Sequence, residues 1–487
     1  MAEENLRNKT LKGVGWTAAQ SIVSHGVGFI IGIILARLLS PEAYGMVGMV
    51  MVVQAILGIF VDGNFGASLI RKPTVTEEDY NTMFWMTVGM SIVAYAVLFA
   101  TAPFLSRFFN AELTSLARVL GLTMVIGSLS ATQGAKMTKE INFKPFTYSQ
   151  VISSILGGIA GVVCAFCGLG VWALVVQNLM TSVLSVSYLC IVSPWRPSFS
   201  FSIESAKYMW GFGWRLTLTN LIGAIWNRIY VLVVGKFYAL EALGQYSRAR
   251  SYAEMVSVNL TNVVERVSYP TLSNIQENRE RMVAVYRRMI KVTMFVTTVS
   301  LFFLAAIAKP FIVCLIGEKW LDAARYLPYI CMAVSLFPLW AVNKSMLKII
   351  GRPDLYMRVF IVSKSLDIGP ILLGIFYGIM PMLVGMIFAR IVAFFIYTYY
   401  VGREVEYSTR MQMIDVAPSY IIAMCVAVSV YFFKFLPLSD FVILPIQLLT
   451  GAVTFFAICE IFKPYEYNEL KSIVIQTYHK YSAKKGR

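Results

Sequence analysis

Apolar runs of about 20 residues, separated by short polar turns, recur from near residue 14 to near residue 461. A helix of that length crosses the hydrocarbon core of a bilayer and closes its backbone hydrogen bonds within itself. The pattern predicts fourteen spans. Six lie near 14–36, 46–70, 81–103, 113–132, 148–168 and 171–193. Six more lie near 209–235, 246–268, 289–308, 326–345, 359–378 and 382–401, and two follow near 416–434 and 441–461. The eighth is the least apolar and is read as a span because it holds the place of the second in an internal repeat. A transmembrane β-barrel would need short segments of alternating polarity, and the pattern has none.

The repeat shows at two turns. Ala36-Arg37-Leu38-Leu39-Ser40-Pro41-Glu42-Ala43-Tyr44-Gly45 joins the first two spans, and Leu240-Glu241-Ala242-Leu243-Gly244-Gln245-Tyr246 echoes it about 199 residues later. The feeding segments match too, Gly13-Val14-Gly15-Trp16 against Gly211-Phe212-Gly213-Trp214. Pro41 stops the first span, and Gly45 lets the next helix start close against a neighbour. Six spans separate the copies, so both lie on the same side and the halves are parallel repeats about an axis along the membrane normal. The expected fold is an all-α polytopic membrane protein of about 14 transmembrane helices: two six-helix lobes around a central cavity, plus two C-terminal helices. The expected divisions are an N-terminal lobe at 1–193, a linker at 194–208, a C-terminal lobe at 209–401, two extra helices at 402–462 and an amphipathic cytoplasmic tail at 463–487.

Composition agrees: the 487 residues are 58% hydrophobic and only 14% charged, too little charge to cover a soluble domain of this length. The formal net charge is +16. In a membrane protein this excess marks cytoplasmic loops rather than a nucleic-acid partner. With the N-terminus inside, about 27 basic residues, Lys344 among them, fall on cytoplasmic segments and 8 on outer loops. Both termini are therefore expected in the cytoplasm. Met1 to Lys12 is polar and the first span is too long for a signal h-region, so no cleavable signal is expected. Cys164-x-x-Cys167 has no second pair and no histidine nearby, and reads as small buried hydrophobes; no metal or cofactor is expected. There is no phosphate-binding Gly-rich loop for ATP. The longest outer connections, around Phe104–Glu112 and Lys309–Arg325, are too short to house a catalytic site, which favours a transporter over an enzyme.

Candidate chemistry lies in the charges that remain within spans. They are Arg215, Arg228, Arg248, Arg250, Arg266, Lys364 and Arg390, with Asp62, Glu254, Glu265, Asp367 and His25. Each costs at least a few kcal/mol unless it is paired, snorkels or meets water. Arg215 and Arg266 lie near the cytoplasmic side, where snorkelling competes with a cavity role. Lys364 and Asp367 are three apart and Arg250 and Glu254 four apart, and both pairs are expected to close locally. Arg228 and Arg390 lie deep without a carboxylate one turn away and read as unpaired cavity arginines. On the eighth span, Arg248, Asn259, Asn262 and Arg266 form one stripe and Arg250, Glu254 and Glu265 another, so this helix lines water or a polar neighbour. An excess of cations suits an anionic substrate, because the arginine fork matches phosphate oxygens. Trp16, Trp210, Trp214, Trp226 and Tyr230 either stack on sugar faces or belong to the interfacial belt and core.

The first turn, Ala-Arg-Leu-Leu-Ser-Pro-Glu-x-Tyr-Gly, resembles the Wzx-type polysaccharide flippases of the multidrug, oligosaccharidyl-lipid and polysaccharide exporter superfamily, in particular the colanic-acid and teichuronic-acid exporter branch. The resemblance implies that the first, second, seventh and eighth spans line the cavity, presenting His25, Asp62, Arg215, Arg228, Arg248 and Arg250. It implies a flippase for polyprenyl-pyrophosphate-linked units of lipopolysaccharide or exopolysaccharide, working by alternating access. The lipid-linked oligosaccharide, membrane lipids, a polysaccharide polymerase and glycosyltransferases are its expected partners. Glu254, Asp367 and Lys364 are the candidates for coupling to an ion. The alternatives are a cation-coupled multidrug antiporter, for which Asp62 is the only acid in the N-terminal spans, a peptidoglycan lipid-precursor flippase, and a membrane-embedded glycosyl transferase or polymerase. The topology is tested by reporter fusions at Arg410 and at the C-terminus: both give the cytoplasmic signature, and a periplasmic signal at both overturns it.

Overall fold

The computed structural model of the chain describes residues 23–472 other than residue 25, together with residue 475, leaving aside the side chains at 263, 265–267, 269, 270 and 353. His25, Trp16, most of the expected tail and the side chains of Glu265 and Arg266 lie outside the described residues. Among the described residues there is no strand, and twelve helices are long and apolar enough to cross a membrane. Two expected spans stand apart from those twelve. The first is described only as α1, Gly26–Leu38, and the eighth is α10, Leu240–Ser273, a 34-residue helix with low mean hydropathy.

The turn at Ser40 and Pro41 does more than stop α1. Ser40 is the N-cap of α2, Pro41–Asp62, accepting from Ala43 N at 3.3 Å, and Pro41 occupies the first helical position, where its missing N–H costs nothing. Side-chain caps recur at the starts of other helices. Thr76 and Asp79 form a reciprocal capping box on α4, Glu77–Phe109. Ser202 caps α9, Ile203–Phe237, Asn278 caps α11, Arg279–Ala306, and Ser408 caps α18, Thr409–Tyr431. Polar capping residues therefore begin these long apolar helices, as a chain leaving water for lipid requires.

The chain forms two compact units, Met1–Gly244 and Gln245–Arg487. The first holds α1, α2, α3 (Phe65–Arg71), α4, α5 (Thr114–Ser128), α6 (Ala131–Lys139), α7 (Lys144–Phe166), α8 (Trp172–Val192), α9 and the first turn of α10. Helix α9, which opens the second sequence repeat, packs on α2, α3 and α4. Repeat order and packing are separate properties of this chain. The two copies of the turn meet each other: a Cβ on Gly45 would lie 2.0 Å from the Leu240 carbonyl oxygen, and one on Gly244 would lie 1.8 Å from the Pro41 carbonyl oxygen. Elsewhere Gly157 and Gly161, one turn apart on α7, let α8 approach until their Cβ positions would touch Thr181 and Gln177. The second expected span breaks between α2 and α3, where Gly63 and Asn64 both take left-handed backbone. Its loose polar groups are held by α9: Asn64 donates to Thr217 Oγ1 at 3.1 Å and accepts from Asn220 at 3.2 Å.

The second unit holds the rest of α10, α11, α12 (Ala308–Ile316), α13 (Leu321–Val334), α14 (Phe337–Ile349), α15 (Pro353–Ser365), α16 (Ile368–Tyr377), α17 (Ile379–Val405), α18 and α19 (Asp440–Phe462). Polar α10 is packed because its polar side chains close its neighbours' backbone. Gln245 donates to Lys319 O at 2.6 Å and accepts from Ala323 N at 3.0 Å, and Ser257 donates to Val334 O at 2.8 Å. The extra helix α18 is bolted to α11 through Asp415, which accepts from Arg287 at 2.8 Å, Lys291 at 2.9 Å and the Tyr407 hydroxyl at 2.6 Å. Residues 465–472 are helical, and Glu469 there pairs with Arg288 of α11.

The meeting of the turns gives a test. Gly244→Ala and Gly45→Ala press a methyl group into backbone, costing about 1–3 kcal/mol, read as a fall in the melting temperature of the purified protein in detergent. Gly58→Ala on the same α2 has nothing within 4 Å of its Cβ and leaves the melting temperature unchanged.

Candidate functional site

Four helices of the second unit bring charged side chains to one place. Helix α10 contributes Tyr246, Arg250 and Glu254, spaced by four residues and so on one face. Arg250 Nε donates to Glu254 Oε1 at 2.7 Å, as their spacing predicts. Lys364 ends α15, Asp367 precedes α16, Arg390 lies mid-way along α17, and α14 adds Lys344 with Phe337 and Trp340. Tyr246 lies within electrostatic reach of Arg250, Glu254 and Arg390, and Lys364 within reach of Arg390, Asp367, Lys344 and Arg250.

Arg390 is the innermost cation. It is 8% exposed, its Nη2 donates to Asp367 Oδ1 at 3.0 Å, and Asp367 is 0% exposed. The guanidinium also lies 5.2 Å from the Trp340 ring centre and 6.0 Å from that of Phe337, the geometry of a cation held against aromatic faces. Trp340 stacks in turn on Tyr397, whose hydroxyl meets Ser363 Oγ at 3.4 Å. Arg390 Nε finds no acceptor among the described residues. Arg250 and Glu254 are more open, with 22% and 31% of their side chains exposed.

Two expectations from the sequence are corrected. Arg390 is not an unpaired arginine: its carboxylate comes from another helix, 23 positions earlier in the chain, beyond the reach of any one-turn rule. The local pairing expected of Lys364 and Asp367 is not the whole account: residues 366 and 367 keep helical backbone and Asp367 stays within electrostatic reach of Lys364, but its salt bridge is to Arg390 on another helix. Lys364 lies over the Phe360 ring at 5.9 Å. Lys344, counted from the sequence as a loop residue, sits within α14 and joins the group. Lys344, Tyr246 and Trp340 were not singled out from the sequence as site residues; the signal for Lys344 was its place one residue inside an apolar run. The group carries four cations, Arg250, Lys344, Lys364 and Arg390, against two carboxylates, Glu254 and Asp367, leaving two positive charges.

The other sequence candidates lie elsewhere. Arg248 takes another direction from α10, over the rings of Tyr252 at 5.9 Å and Trp320 at 5.8 Å. Arg215 and Arg228 belong to α9 in the first unit, both exposed, Arg215 lying 5.6 Å from the Trp214 ring centre. Asp62 is the last residue of α2, exposed at the break. Asn64, Thr217 and Asn220 around that break were missed, although Asp62-Gly63-Asn64 is turn chemistry inside an apolar run. Of the aromatics, Trp210 and Trp214 are exposed, whereas Tyr230 is buried in the core.

Residues 34–325 match the family described as polysaccharide biosynthesis protein. The chain is 25% identical over 310 residues to the succinoglycan biosynthesis transport protein ExoT of Rhizobium meliloti, covering 63% of each chain. It is 22% identical over 377 residues to the lipopolysaccharide biosynthesis protein WzxC of Escherichia coli, covering 76% of each. The chain thus spans less than two thirds of the length of the succinoglycan relative. Among solved structures, the lipid II flippase MurJ in an inward closed conformation superposes with a TM-score of 0.72 at 14% identity, covering 94% of this chain and 99% of that one. At that identity the likeness is one of fold.

The buried pair gives the test of the site's construction. Arg390→Ala leaves the Asp367 carboxylate without its arginine, costing about 3–5 kcal/mol, read as lost thermal stability and lost membrane abundance. Arg390→Lys falls between, and Arg390→Ala with Asp367→Asn recovers part of the loss. An Arg390→Ala protein as stable as the parent shows that the pair does not hold the unit together.

Proposed function

The chain belongs to the polysaccharide biosynthesis protein family, and on that premise we propose that it is a flippase. It moves polyprenyl-pyrophosphate-linked repeat units from the inner to the outer leaflet of the bacterial inner membrane by alternating access. The observation that carries this reading is the group of charges in the second unit with two positive charges in excess. A pyrophosphate diester carries two negative charges at neutral pH, so the excess matches the charge at the junction of lipid and sugar in such a substrate. Arg250 offers forked donors and Lys364 a movable point charge, while the Arg390–Asp367 pair forms the floor behind them.

Arg215, Arg228 and Asp62 of the first unit, Arg248 of the second, and His25 remain candidates for contact with other parts of the substrate, with the exposed Trp210 and Trp214 as candidate faces for sugar rings. Glu254, Asp367 and Lys364 are the groups assigned to ion coupling, because a proton on Glu254 would release Arg250 toward phosphate. The basic count favours cytoplasmic termini, so the substrate arrives from glycosyltransferases inside and leaves to a polymerase outside. A net positive interior disfavours a cationic drug as cargo.

The test uses Lys364→Ala, whose loss strands no carboxylate that Arg390 does not already hold. Removing one charge-assisted contact, worth about 1.5–3 kcal/mol, weakens binding of a polyprenyl-diphosphate lipid to the purified protein about tenfold or more. Membrane abundance is kept and surface polysaccharide falls. An abundant variant that binds and exports as the parent does would sink this assignment.

A further inference from the structure

The linker between α8 and α9 is an amphipathic strap. Ser198 N donates to Asn81 Oδ1 at 2.9 Å, and Asn81 Nδ2 donates to the hydroxyls of Ser198 at 2.7 Å and Ser200 at 2.8 Å. Ser202 N donates to Thr82 Oγ1 at 2.9 Å, and the Ser198 carbonyl accepts from Trp85 Nε1 at 3.0 Å. Ser198, Ser200 and Ser202 are thereby bonded to α4, and the apolar residues between and after them stay exposed. They are Phe199, 96% exposed, Phe201, 52%, and Ile203, the first residue of α9, 67%. A polar row is fully used against the protein, and an apolar row faces away from it.

We propose that this strap is a lipid-binding element: its apolar row lies in the inner-leaflet surface, with Arg196 and Lys207 at anionic headgroups. The height fits, because Asn81, Thr82 and Trp85 occupy the first turns of α4, where its apolar span begins at the end the basic count places in the cytoplasm. The apolar surface is continuous on both sides. Helix α8 ends in exposed Ile191 and Val192, and Phe199 stacks on Trp85 with ring centres 5.1 Å apart and planes at 21°. Charge is complementary as well: Arg196 and Lys207 are exposed beside the row, and Glu204 is the acid among them. An apolar row with cations at its edge is the composition of a segment lying in a membrane interface, where rings sit at the depth of the headgroups. The strap ties the junction of the two sequence repeats to α4 on one side and to the bilayer on the other.

The experiment places a bimane fluorophore at residue 199 of the full chain, through Phe199→Cys in a protein whose seven native cysteines are replaced by serine or alanine. The protein is held in nanodiscs of phosphatidylcholine and phosphatidylglycerol. Size-exclusion elution and melting temperature matching the parent establish that the labelled protein is folded. Bimane emission is expected at blue-shifted wavelength, resistant to aqueous iodide, and largely lost when lipids carry a nitroxide near the headgroup. Loss to iodide without loss to nitroxide lipid places the row in water and overturns the proposal. Protection from both quenchers means that protein covers the row, and equally overturns it.

Discussion

An ionised side chain within a hydrocarbon slab is tolerated only in company, and the Arg390–Asp367 pair is where the second unit meets that demand most fully. Asp367 sits at the join of α15 and α16, Arg390 on α17, and the aromatic faces of α14 hem in the guanidinium. Three segments distant in sequence are thereby fixed around one contact. Such a pair contributes little net stability against an apolar alternative, but it is costly to break. With Arg390 held by Asp367 and Arg250 by Glu254, the two cations in excess are Lys344 and Lys364.

The same demand explains the backbone's treatment. Gln245 and Ser257 of α10, the serines of the linker and Asn64 at the helix break each satisfy main-chain or side-chain groups that lipid could not. In each case a polar side chain closes the protein's own hydrogen bonds.

The apolar runs made almost every helix legible, because a bilayer imposes length and polarity together. Polar α10 was legible only through the repeat, since its packing partners, not its hydropathy, keep it in place. Most members of the charged group could be named from the sequence, and the Arg250–Glu254 pair with them, but not the pairing of Arg390. The local rule for Lys364 and Asp367 looks one turn along the chain, and so it misses a second cation brought to Asp367 by another helix. Arg390 finds its acid through the fold, which no window along the chain contains. At Asp62-Gly63-Asn64 the apolar pattern concealed a turn that its own residue types announce.

The contact of Gly45 with Leu240 and of Gly244 with Pro41 is reciprocal: each position touches the counterpart of the one that touches it. A patch that complements itself in this way is the mark of a two-fold interface between identical subunits. Here the two copies of the turn pack against each other as the two sides of such an interface do. The two stretches are thereby coupled by space: bulk added at Pro41 or Gly45 restricts what Gly244 and Leu240 can accept, and the reverse.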